Sequence, residues 1–207
     1  MVNIFLNAAQ TALTQTALTQ TVLILFVLSA LLVACDDPKA RAREDIDQLS
    51  EVLRYTPNNA KAHAKLGMAY ASLGKYDEAI ASLEKATMLN PSDTTSLVLL
   101  TSMCFQLGRY KDALEPTKKL VQLTPNNADV YTSLGNVYMN LKQYRAAIPQ
   151  YEASLRLKPD DTEVRYSLGV AYYELGVRDS ARMQYEIIKD KSSLRAGALL
   201  RRLENRQ

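Results

Sequence analysis

AKAHAKLGMAYASLGKYDEAIASLEKATMLNPSD, residues 60–93, recurs in register three more times, in units that start at Thr94, Ala128 and Thr162. The period is 34 residues each time. Leu66, Leu100, Leu134 and Leu168 share the seventh position of the unit, and Ala79, Ala113, Ala147 and Ala181 share the twentieth. Gly67, Gly135 and Gly169 hold the eighth position, where the second unit has Thr101. Tyr70, Tyr138 and Tyr172 hold the eleventh, where the second unit has Cys104. Pro91, Pro125 and Pro159 close three units, and Ser193 stands at that position in the fourth.

Each unit carries two apolar runs at helical spacing. In the first unit they are Leu66, Met68, Ala69, Tyr70 and Leu73, then Ala79, Ile80, Leu83, Ala86 and Leu89. Gly74, Gly108 and Gly176 separate the runs as a helix C-terminus requires, with Lys142 in that place in the third unit. Asn59, Asp93, Asn127 and Asp161 precede the first run of each unit, and all four are good N-caps. The proline two residues earlier stops the previous helix. A single helical hairpin of this kind cannot bury its apolar faces, and stacking buries them between neighbours. The fold class expected is therefore all-α, a solenoid of antiparallel helix pairs.

The period and the L-G-x-x-Y … A … P pattern resemble the tetratricopeptide repeat (TPR). The resemblance implies four full repeats at 60–93, 94–127, 128–161 and approximately 162–193, wound into a right-handed superhelix. Ile46, Leu49, Val52 and Leu53 form an apolar stripe ending at Pro57, 34 residues before Pro91. This segment is read as the second half of a unit, an N-terminal cap helix within 35–59. After Asp190 the register fails. Leu194, Ala198, Leu199, Leu200 and Leu203 give one more amphipathic helix in 194–207, a basic C-terminal cap with Arg195, Arg202 and Arg206 towards solvent. Pro116 and Pro149 are expected to kink second helices slightly.

Residues 1–34 contain no charged side chain, and 22–34 form an apolar run too short to span a bilayer comfortably. That length suits the apolar region of a signal peptide. Leu32, Val33, Ala34 and Cys35 resemble a bacterial lipobox. The resemblance implies cleavage before Cys35, its acylation, and a protein held by lipid at the cell envelope and facing the periplasm, with the choice of inner or outer membrane open. Residues 1–20 lack the Lys or Arg of an ordinary leader, so an uncleaved hydrophobic anchor stands as the alternative. With Cys35 lipidated, Cys104 is left without an intrachain partner and no disulfide is expected.

The formal net charge is +3, and residues 189–207 hold a net +4 of it, which leaves the rest near neutral. Nothing in that balance points to nucleic acid as a partner. The lone His63 has no catalytic constellation around it, His and Cys do not cluster, and no phosphate-binding loop occurs. No enzyme, cofactor or metal is expected. The resemblance implies instead a concave surface lined by first helices, with a protein or peptide partner. The candidate groove residues are Met68, Val98, Phe105, Asn136, Met139, Glu163, Tyr166, Val170, Tyr173 and Glu174. They suggest a scaffold or adaptor that docks a helix with apolar anchors, its basic residues near Glu163 and Glu174. An alternative for the groove is that part of this strip is covered by the chain's own terminal helix or by the superhelix closing on itself. The alternative is a self-assembling structural protein joined through its terminal helices; the sequence sets no oligomeric state.

Overall fold

The computed structural model describes residues 37–204. The expected leader, the lipobox and Cys35 lie outside the described residues. Ten α-helices and no strand occur among the residues described. They are α1 (Pro38–Tyr55), α2 (Ala60–Ser72), α3 (Tyr76–Leu89), α4 (Thr94–Gln106) and α5 (Tyr110–Leu123). There follow α6 (Ala128–Asn140), α7 (Tyr144–Leu157), α8 (Thr162–Glu174), α9 (Arg178–Ile188) and α10 (Ser193–Glu204). Each helix packs on the next, so the chain is a solenoid of the helix pairs α2/α3, α4/α5, α6/α7 and α8/α9.

The same two devices set the ends of every first helix. Asn59, Asp93, Asn127 and Asp161 are extended, and each side chain accepts a hydrogen bond from a backbone N–H of the first turn. At the other end Gly74, Lys142, Gly108 and Gly176 adopt φ of 74°, 57°, 68° and 78°. That left-handed residue lets the next N–H reach back to the carbonyl five residues earlier: Lys75 to Tyr70, Arg109 to Cys104, Gln143 to Tyr138 and Val177 to Tyr172.

The twentieth-position alanines, Ala79, Ala113, Ala147 and Ala181, are all fully buried where the two helices of a pair cross. The close approach at Gly67 and Gly135 has a further cause than the alanine. A Cβ on Gly67 would lie 2.7 Å from Leu83 Cγ, and one on Gly135 would lie 2.5 Å from Tyr151 Cε1. The glycine therefore makes room for the large residue at position 24 of its own second helix. The fourth pair departs from this rule. Gly169 faces Leu199 of α10, and α10 packs on both α8 and α9. The first helices of successive pairs meet at most marginally, so α10 leans towards α8 more than a regular next helix would.

Candidate functional site

The open part of the expected groove lies between α4 and α6. Val98 and Phe105 stand two turns apart on α4 and are 50% and 36% exposed, high for apolar side chains on a helix that is otherwise packed. Phe105 is held edge-on against Tyr110 at a ring distance of 5.1 Å. Together with Asn136 of α6 the two side chains line a cavity of about 470 Å³. Thr101, Leu120 and Val130 form its buried floor, and Ser102, Gln106 and Ser133 are the neutral polar groups around it. The positions that the TPR resemblance implied include Val98, Phe105 and Asn136 but not Ser133, Val130 or Leu120. Ser133 and Val130 each lie one position from an expected lining position of α6, and Leu120 comes from α5, a second helix that was not expected to line the groove.

The electrostatics of this cavity are mild. Its one charged lining residue is Asp129, and Lys158 Nζ lies 2.7 Å from that carboxylate. Asn136 Oδ1 accepts a hydrogen bond of 2.7 Å from the buried Tyr151 hydroxyl, so the amide N–H groups are what Asn136 can offer a ligand. Burial pushes the Tyr151 phenol well above its ordinary range, with a partial offset from a hydrogen bond to Ser167. At neutral pH it is a neutral donor.

The other candidate residues are distributed differently from the single strip expected. Met68 lies in a separate cavity of about 550 Å³ between α1 and α2, with Leu49, Val52 and Lys65. Met139 borders a smaller cavity of about 300 Å³ with Tyr144, Val170 and Arg202. Glu163, Tyr166, Val170, Tyr173 and Glu174 are engaged by α10. Val170 shares a core with Ala196, Leu199 and Leu203, and Tyr166 and Tyr173 pack against it. Arg195 Nη2 lies 2.9 Å from Glu163 Oε2, and Arg202 Nη1 lies 3.5 Å from Glu174 Oε1. Arg195 and Arg202 keep much of their side chains in solvent, as expected, and the ion pairs are what the sequence did not show: their partners lie about one unit back in sequence, beyond the reach of a local reading.

Cys104, at a tyrosine position of α4, is buried and free, and its thiol is pushed up to about 11, chiefly by burial. Asp112 and Glu84 push the same way and Arg109 opposes them. It behaves as a small apolar side chain. His63 Nε2 lies 2.9 Å from the carbonyl of Pro57 and serves the loop before α2. No group of His, Cys, Asp and Glu among the described residues is arranged to hold a metal ion. No described helix is long and apolar enough to cross a membrane.

Two family models match the helix pairs. The TPR repeat model matches residues 102–142 and 135–176, and the tetratricopeptide repeat model matches 60–93, together just over half of the chain. The chain is a tetratricopeptide repeat protein. Among solved structures, two crystal structures of MamA share 28% and 27% identity with it, at TM-scores of 0.59 and 0.61. They align over 75% and 82% of this chain and 86% and 90% of their own. MamA 41-end from Desulfovibrio magneticus RS-1 is 21% identical at a TM-score of 0.62, over 79% of this chain and 90% of its own, and shows likeness of fold. Among curated proteins, outer envelope protein 61 of Arabidopsis thaliana is 38% identical over 72 residues. That match takes in 35% of this TPR chain and spans 13% of the plant protein.

Proposed function

We propose that this TPR protein is a binding scaffold whose groove between α4 and α6 receives an apolar segment of a protein partner. The observation that carries the reading is the pairing of Val98 and Phe105, two turns apart and exposed, over a cavity of about 470 Å³. No Lys or Arg lines that cavity, so it does not suit the acidic C-terminal peptides that basic TPR clamps hold. Ser102, Ser133 and Asn136 suit backbone or neutral side-chain hydrogen bonds around an apolar anchor. Asp129 is paired with Lys158 and the Ser133 hydroxyl donates to the backbone carbonyl of Asp129, so both groups are engaged, which suits binding without chemistry.

The location that fits this reading is the bacterial envelope, with a lipid on Cys35 and the helices facing the periplasm. Its support is the apolar run ending in Leu32, Val33, Ala34 and Cys35. Intact-mass measurement of the mature protein from its native host tests it: acylated Cys35 at the new N-terminus is expected, and a free thiol with a retained leader refutes it.

The groove is tested by capture from envelope extract, identification of the captured protein, and titration of that purified protein with wild type and Phe105→Ala. An aromatic anchor costs about 2 kcal/mol on truncation, roughly thirtyfold in affinity. Equal affinity of the two rules the groove out. A second reading, assembly of copies through their terminal helices, is favoured by apolar side chains left open there: Tyr55 of α1 is 77% and Leu194 of α10 79% exposed. Sedimentation at several concentrations decides it, since growth of the sedimenting species without a partner is expected only from assembly.

A further inference from the structure

Leu199 is fully buried, and it occupies space that in the first and third pairs belongs to the pair itself. A Cβ on Gly169 would meet Leu199 Cδ2 at 2.6 Å, where Gly67 and Gly135 meet Leu83 and Tyr151. The seam of the fourth pair is thus filled by a helix from outside it. α10 reaches that seam as a helical ligand would. Ala196, Leu199 and Leu203, spaced i, i+3 and i+7, share one core with Val170. Arg195 and Arg202 stand one position before the first and last of these and pair with Glu163 and Glu174, at the two ends of α8. α10 therefore lies parallel to α8, fixed by three apolar anchors and two exposed ion pairs.

An independent observation bears on how firmly it is held. Gln184 of α9 is 7% exposed, and its Oε1 is buried without a hydrogen-bond partner in the protein. Its Cβ and Leu199 converge on Gly169. A buried carbonyl left unpaired opposes the closed arrangement, because lifting α10 opens this seam to solvent. The link between α9 and α10 is four residues long, Lys189, Asp190, Lys191 and Ser192, and polar throughout.

We infer that the concave face of the fourth pair is a second docking surface, for a basic amphipathic helix of a partner, and that α10 fills it in cis as a displaceable insert. The partner helix carries apolar residues at i, i+3 and i+7, with an arginine or lysine before the first and the last. The inference rests on the scaffold reading but uses a stretch of groove separate from Val98 and Phe105.

Two measurements on the full chain test it. In native-state hydrogen exchange the amides of α10 are expected to exchange at least about tenfold faster than those of α6 and α7, because a displaceable helix opens below the global barrier. Equal protection overturns the inference. Next, a fluorescent peptide of residues 193–204 is titrated against the full chain carrying Leu199→Asp and Leu203→Asp, which undocks α10. If circular dichroism shows that variant unfolded, Arg195→Glu with Arg202→Glu replaces it and leaves the buried side chains intact. The peptide is expected to bind the undocked chain at least about tenfold tighter than wild type, and Glu163→Lys with Glu174→Lys is expected to remove that gain. No binding, or binding indifferent to Glu163 and Glu174, overturns the inference. Phe105→Ala in the same background leaves peptide binding unchanged, so failure here and failure of the α4/α6 groove are separately visible.

Discussion

Thr117 Oγ1 lies 3.3 Å from Thr101 Oγ1 in the one helix pair that lacks the eighth-position glycine. Thr117 holds position 24, where Leu83 and Tyr151 stand opposite Gly67 and Gly135. The second pair thus exchanges a glycine and a large side chain for two threonines, with Thr117 also donating to the carbonyl of Ala113 at 2.6 Å. Two mid-sized side chains stand where the first and third pairs set a glycine against a large one. Thr117→Leu alone is expected to overpack the seam and cost about 1–3 kcal/mol. Adding Thr101→Gly recovers most of that loss, a coupling of about 1–2 kcal/mol in a double-mutant cycle followed by urea unfolding. Additive costs would show that the seam is not a shared volume.

Gly135→Ala tests the same seam from its glycine side. The new Cβ would sit 2.5 Å from the ring of Tyr151, which is fully buried and has nowhere to swing. A loss of about 1–3 kcal/mol is expected. Tyr151→Leu in the Gly135→Ala background relieves part of it, whereas the same change beside glycine only leaves a cavity.

Lys142 is the described non-glycine residue with positive φ, at 57°. An L side chain there costs about 1–2 kcal/mol, and glycine gives back some of that through the greater freedom of the unfolded chain. Lys142→Gly is expected to stabilise by about 0.5–1 kcal/mol. Gly176→Ala, at φ 78° with nothing near its Cβ position, is expected to destabilise by a similar amount for purely conformational reasons. Urea midpoints of the two variants should move in opposite directions.

Much of this was legible in the sequence because each device is local and repeated. Asn59 caps α2 through Ala62, and Asp161 caps α8 through Glu163 and Val164, within three residues of chain. That Val98 and Phe105 share one face of α4 follows from their spacing, and that this face lines a groove came from the TPR resemblance. That the terminal helix covers part of the expected strip was an open alternative in the sequence, but the contacts by which α10 does so were not legible. Its register breaks after Asp190, and Arg195 meets Glu163 across 32 residues, so no periodic rule carries one to the other. A hint existed in the charges: two arginines two turns apart in the last helix, and glutamates near both ends of α8. Nothing in spacing, however, says which helix faces them.

The last prediction concerns alkaline stability. Burial raises the Cys104 thiol from 9.0 to about 11 in the folded chain, while in the unfolded chain it titrates near its ordinary value. Between those values the unfolded state has given up the proton that the folded state keeps. It binds fewer protons, so the free energy of unfolding falls as pH rises. The stabilisation is complete below about pH 9 and is lost progressively up to about pH 11, with a limiting slope of about 1.4 kcal/mol per pH unit. The raised Tyr151 phenol has the same sign and continues the decline at higher pH. Urea unfolding at pH 8, 9.5 and 11 measures the slope. Cys104→Ala is expected to be less stable at pH 8 by about 1 kcal/mol, from the lost packing, yet flatter between pH 9 and 11 than wild type. If both proteins lose stability in parallel over that range, the thiol does not control it, and the decline belongs to Tyr151 and the surface lysines instead.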